Sequence, residues 1–171
     1  MQRLFLMAAP LALAGCVTAT APSTAPNNVA SIAFETGPCF GFCPQFGIDV
    51  SAAGQGTYTG GSSVRQQGAH RFTVSPAEFA AFRDRLAPFR PAQSVTWDRS
   101  KCDGPVRTDS PSVKVTWRDE SGQSVTLDWY MGCRQPGLAE KSDEIYKAWQ
   151  ELPLAPLVGD DAERATYRRL E

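Results

Sequence analysis

Residues 113–129 read VKVTWRDESGQSVTLDW. Val113, Val115 and Trp117 alternate with Lys114 and Thr116 as far as Asp119-Glu120-Ser121-Gly122. Val125, Leu127 and Trp129 then alternate with Thr126 and Asp128. A period of two, apolar on one side and polar on the other, marks a half-buried strand. The glycine-bearing polar break marks the turn between two of them. The segment predicts an antiparallel hairpin with one face in a core and the other solvated or set against a partner.

The same period recurs towards the N-terminus. Ile32 and Phe34 alternate with smaller residues, and Phe46, Ile48 and Val50 face away from Gly47, Asp49 and Ser51. Ala53 to Gly56 is a turn, Thr57-Tyr58-Thr59 a strand, Gly60-Gly61 a break, and His70, Phe72 and Val74 a fourth strand. A helix follows: Ser75 is placed to cap, Pro76 suits the first helical position, and Glu78 completes a capping box. Phe79, Phe82, Leu86 and Phe89 give it one apolar stripe, and Pro88 and Pro91 end it. A second helix is expected from Leu138 to Leu152, with Leu138, Ile145, Trp149 and Leu152 inward and Asp143 paired with Lys147 outside. Hairpin-linked strands with helices in separate places predict an α+β fold, an antiparallel sheet with two main helices packed on one face.

The chain has 171 residues, 17 basic against 18 acidic, and one histidine. Nothing in that balance resembles the basic stripe of a nucleic-acid binder. At the N-terminus, Met1-Gln2-Arg3 precedes an apolar run, Leu4 to Ala12, too short for the roughly 20 residues a bilayer span needs. It reads as a signal peptide. Leu13-Ala14-Gly15-Cys16 resembles the lipobox of bacterial lipoproteins, which implies cleavage before Cys16 and its lipidation. Residues 17–28, VTATAPSTAPNN, read as a disordered tether reaching roughly 35–40 Å if extended. The expected organisation is residues 1–15 signal peptide, 16–28 lipidated cysteine and tether, 29–157 one α+β domain, and 158–171 a tail with a short helix. The expected location is the bacterial envelope, membrane-anchored through Cys16 and facing the periplasm, at the outer membrane in a Gram-negative host.

Four cysteines remain: Cys39, Cys43, Cys102 and Cys133. In an exported domain they are expected to be oxidised. Gly37 to Pro44, GPCFGFCP, allows three readings. A copper or zinc site would need more ligands, and His70 sits in a strand pattern. A reactive thiol would want a helix N-terminus or a basic neighbour, whereas Phe40, Phe42, glycines and prolines surround this pair. A structural staple requires a tight turn, which Gly41 and the flanking prolines supply. The favoured pairing is Cys39–Cys43 with Cys102–Cys133. A crossed pairing such as Cys39–Cys133 remains open, since four cysteines allow three connectivities.

Cys39, Gly41, Cys43, Pro44 and Phe46, then Gly56, Tyr58 and Gly60, and later Thr108, Asp109 and Pro111 form a motif series. With it, the segment from Ile32 to Leu152 resembles the bacterial family called domain of unknown function 6438. Cys102 and Cys133 lie outside that motif. The resemblance implies a fold and brings no activity.

Trp97 to Ser112 is the longest irregular stretch. Asp98, Asp103 and Asp109 could line a ligand pocket and Arg99, Lys101 and Arg107 could meet an anion, although Asp-Gly-Pro and Asp-Ser-Pro are also turn chemistry. Trp117, Trp129 and Trp149 are expected in the core, Trp97 and Tyr130 at the surface. No hydrolase, zinc-protease or phosphate-loop motif is present. The chain is therefore expected to be a non-catalytic, lipid-anchored binding domain without metal or cofactor. Its expected partner is an envelope protein or peptidoglycan, met through the polar sheet face or through residues such as Phe40, Phe42, Trp97, Asp98, Asp103, Arg107 and Asp109. The alternative is a thiol–disulfide or metal-handling protein centred on Cys39 and Cys43.

Overall fold

A computed structural model describes residues 28–167. The expected signal peptide, Cys16, nearly all of the tether and the end of the tail lie outside the described residues. Seven strands form one sheet: β1 (Val29–Thr36), β2 (Phe46–Ser51), β3 (Gln55–Gly60), β4 (Gly68–Thr73), β5 (Val95–Trp97), β6 (Ser112–Asp119) and β7 (Ser124–Tyr130). Their order is β4-β3-β2-β1-β6-β7-β5, and every pairing is antiparallel except β5 with β7. The fold is α+β, a mostly antiparallel sheet with helical segments.

The opening hairpin is β6–β7, with Val113 opposite Trp129, Val115 opposite Leu127 and Trp117 opposite Val125. Register carries the same face across the sheet, because Ile32, Phe34 and Thr36 of β1 stand opposite Trp117, Val115 and Val113. This is the core face, and Phe34, Val115, Trp117 and Trp129 are buried on it. Helix α1 (Pro76–Leu86) packs there. Its capping box is complete: the Glu78 amide donates to Ser75 Oγ at 3.2 Å, and the Ser75 amide to Glu78 Oε2 at 2.7 Å. Phe82 meets Phe34 edge-on at 6.1 Å between ring centroids, and Trp149 meets Phe46 likewise at 5.7 Å.

The continuous helix expected from Leu138 to Leu152 is instead three pieces: a 3₁₀ turn (Ala139–Lys141), α2 (Ser142–Tyr146) and a second 3₁₀ turn (Ala148–Glu151). Ile145 with Ala148, and Trp149 with Leu152, are all buried at spacings of three. The pieces therefore still present one apolar side to the core although the helix is interrupted. The Asp143–Lys147 ion pair is present at 3.2 Å. Two short helices, α3 (Ala155–Val158) and α4 (Arg164–Tyr167), follow.

Strand directions sort the connections into two ends. At one end the chain enters at Val29, and the tight turns 51–55 and 119–124 lie beside it. At the other end gather 37–45, 61–67, 98–111 and 131–138, one strand length away, about 26 Å at ~3.3 Å per residue. This second end is here called the loop pole.

Candidate functional site

Construction of the loop pole begins with a crossing. β5 and β6 both touch β7, so the connection 98–111 must pass over the end of the strand between them. Its length is a consequence, and its backbone bonds go to the chain it crosses. Arg107 N donates to Gly132 O at 2.7 Å, Arg134 N to Pro105 O at 3.1 Å, and Val106 forms an antiparallel bridge with Cys133. Gly132 is required here, because a Cβ on it would lie 2.2 Å from Arg107 O. The Cys102–Cys133 disulfide, Cα atoms 5.5 Å apart, pins the same crossing. Trp129 Nε1 donates to Cys133 O at 2.8 Å and ties it to the core.

Tyr130 organises the loop from below. Its hydroxyl donates to Arg107 O at 2.9 Å and accepts from the Ser110 amide at 3.3 Å and from Arg99 Nη2 at 3.1 Å. The Arg99 guanidinium also lies over its ring, 4.9 Å from the centroid. Trp97 and Tyr130, expected at the surface, are half-buried against the core.

The second disulfide, Cys39–Cys43, closes the turn after β1 with Cα atoms 5.7 Å apart. Gly41 sits at the centre with φ +137°, a conformation side-chain-bearing residues rarely adopt. The turn is docked on the crossing loop: Phe40 N donates to Asp109 O at 3.2 Å and Gly37 N to Ser112 O at 2.9 Å. Asp109 has φ +63°. Phe40 is 87 % exposed, Phe42 47 % and Val106 44 %, and all three large exposed hydrophobic residues among the described residues lie at this pole.

Phe40, Phe42, Trp97, Asp98, Asp103, Arg107 and Asp109 are therefore brought to one end of the sheet, together with both disulfides. The aspartates do not converge on a common point. Asp98 accepts from the hydroxyl and amide of Ser100, both at 2.7 Å, and the hydroxyl foremost holds its carboxyl below the usual range. Asp103 accepts from Gln135 Nε2 at 3.1 Å. Among the described residues no group of three or more His, Cys, Asp or Glu is arranged to hold a metal ion.

Sequence reasoning missed one feature of the pole. Arg107 and Arg134 both line a hollow of about 300 Å³ with Ser110, Pro111, Met131, Ala139, Ser142, Asp143 and Tyr146. Burial pushes the Tyr146 hydroxyl up to about 12, so it is a neutral phenol at physiological pH. The polar sheet face carries registered rows. One runs Arg71, Thr57, Asp49, Ala33, Thr116, Thr126, and the next includes Thr59, Gly47, Glu35, Lys114, Asp128. Glu35, Gly47, Asp49 and Thr59 line a shallow hollow of about 530 Å³ on it, together with Gln45 and Gly61 from the pole's loops.

A family model described as Domain of unknown function (DUF6438) matches residues 30–152. No curated protein and no solved structure matches the chain.

Proposed function

The chain belongs to the DUF6438 family, and we propose that it is a non-catalytic, lipid-anchored envelope domain that binds a protein or cell-wall partner through the loop pole. The observation that carries this reading is the distribution of exposed apolar side chains. Phe40, Phe42 and Val106 stand at the end of the sheet opposite Val29, on segments fixed by the two disulfides. Rigid aromatic anchors at the centre of a polar surround are the composition of binding hot spots. Covalent closure of the turn lowers the ordering cost of binding. An anchor at Cys16 would hold the chain by its Val29 end, and the loop pole would then face away from the attachment point.

The test is partner capture by the full chain carrying Phe40→Ser, set beside the double variant Cys39→Ser, Cys43→Ser. Loss of capture by Phe40→Ser with unchanged melting supports recognition at the pole. Unchanged capture by Phe40→Ser, Phe42→Ser and Val106→Ser sinks it. If the double cysteine variant keeps its fold and its partner yet loses a cellular phenotype, thiol–disulfide or metal handling at Cys39 and Cys43 replaces the binding reading.

A further inference from the structure

The short ribbon that crosses the end of β7 places two arginines where neither does structural work. Val106 faces Cys133 across the bridge, so Arg107 stands opposite Gly132 and Arg134 opposite Pro105. Residues one step from a bridged pair lie on the other side of the pleat. Arg107 and Arg134 are thus diagonal neighbours on one face, a separation of roughly 7–8 Å between backbones that long side chains close. Both line the hollow of about 300 Å³. Among the described residues neither guanidinium has a hydrogen bond or an ion pair, unlike Arg65, Arg83, Arg85, Arg99, Arg118 and Arg164.

The rest of the lining says what kind of group would complete it. Asp143 is the one acid among the lining residues, and it already meets Lys147. With Asp143 neutralised by Lys147, both arginine charges are left for an anion. Guanidinium forks match a planar carboxylate, with charge-assisted bonds roughly twice as strong as neutral ones. The Ser142 hydroxyl supplies a further donor, and Pro111, Met131 and Ala139 supply an apolar wall for a small side chain. We infer that the hollow between Arg107 and Arg134 is a binding site for the terminal carboxylate of a peptide chain that ends in a small residue. This site rests on the reading of the loop pole as the binding end.

The experiment is an NMR titration of the isotope-labelled full chain in detergent micelles. The probes are N-acetyl-alanyl-alanine, its C-terminal amide, and inorganic phosphate. The free carboxylate is expected to shift the amides of Arg107, Ser110, Arg134 and Ser142 saturably, and the amide form to leave them unmoved. Arg107→Gln and Arg134→Gln are each expected to weaken that binding by roughly 10-fold, the loss of a charge-assisted contact, without changing the melting temperature. Equal shifts from the amide form would overturn the inference, as would phosphate binding at the same or lower concentration. Unchanged affinity in both arginine variants would overturn it too. Carboxylate binding that survives while Phe40→Ser, Phe42→Ser and Val106→Ser all leave partner capture intact would keep the site and remove the proposed function, so the two failures are distinguishable.

Discussion

Removing each disulfide separately is expected to give two very different losses. Cys102 and Cys133 are 31 positions apart and Cys39 and Cys43 only 4. Taken as loop-closure entropy in the unfolded chain, the long bridge contributes about 3.7 kcal/mol and the short one about 2 kcal/mol. Alanine is the appropriate replacement, since Cys133 is fully buried and serine would place a hydroxyl in the core. The long bridge also holds the crossing of 98–111 over β7, so Cys102→Ala, Cys133→Ala should release the Arg107–Gly132 and Arg134–Pro105 bonds as well, making ~3.7 kcal/mol a floor. Urea unfolding under oxidising conditions measures both variants against the parent. For a domain with a total stability of roughly 5–15 kcal/mol, the long-bridge variant should melt on the order of 10–20 °C lower. Amide exchange should accelerate in 98–111 and 131–134. A loss under about 1 kcal/mol for the long bridge, or a larger loss for the short one, would refute the idea that the crossing is held by Cys102–Cys133.

Phe82→Ala removes a ring with no solvent exposure that packs on Phe34 and should cost about 3–5 kcal/mol, whereas Phe40→Ala should change stability by about 0.5 kcal/mol or less in the same unfolding assay. Gly132→Ala forces a methyl onto the Arg107 carbonyl and should destabilise by about 1–3 kcal/mol, with the loss localised by amide exchange to the crossing loop. The Glu163 carboxyl, which accepts from the Tyr167 hydroxyl and from Arg65, is held below its ordinary 4.5, by the Tyr167 bond foremost. A depressed carboxylate stabilises the fold above its unfolded value and loses that contribution as pH falls through the folded one. Protection factors at 65–66 and 157–167, taken against the intrinsic exchange rate at each pH, should therefore fall as pH drops below about 4.5, and Glu163→Gln should abolish that dependence.

The sheet was legible wherever local pattern and final burial coincided. The β6–β7 hairpin and β1 to β3 show period two because one face of each is core, β4 shows it because His70 and Phe72 are half-buried on one face, and α1 shows its start because Ser75, Pro76 and Glu78 act within one turn. β5 has only three residues and gives no alternation to read; its parallel pairing with β7 is a tertiary fact. The break in the second helix was hidden because Ile145, Ala148, Trp149 and Leu152 keep the spacing of a helical stripe although the backbone changes at Lys147. The candidate residues were visible singly as loop chemistry. Their gathering depends on strand order, which puts the ends of β1, β5 and β7 and the start of β6 together. Arg107 and Arg134 could not be paired from the sequence, because the bridge joining their neighbours spans a separation that no local pattern reports.

The central claim is that partners are met at the loop pole. A photo-crosslinking residue placed in the full chain at Phe40, at Thr57 on the polar sheet face and at Ser121 beside the chain entry tests it in cells. The account predicts one discrete adduct from position 40, lost when Cys39 and Cys43 are replaced, and none from 57 or 121. Adducts from Thr57 or Ser121 with none from Phe40 would contradict it.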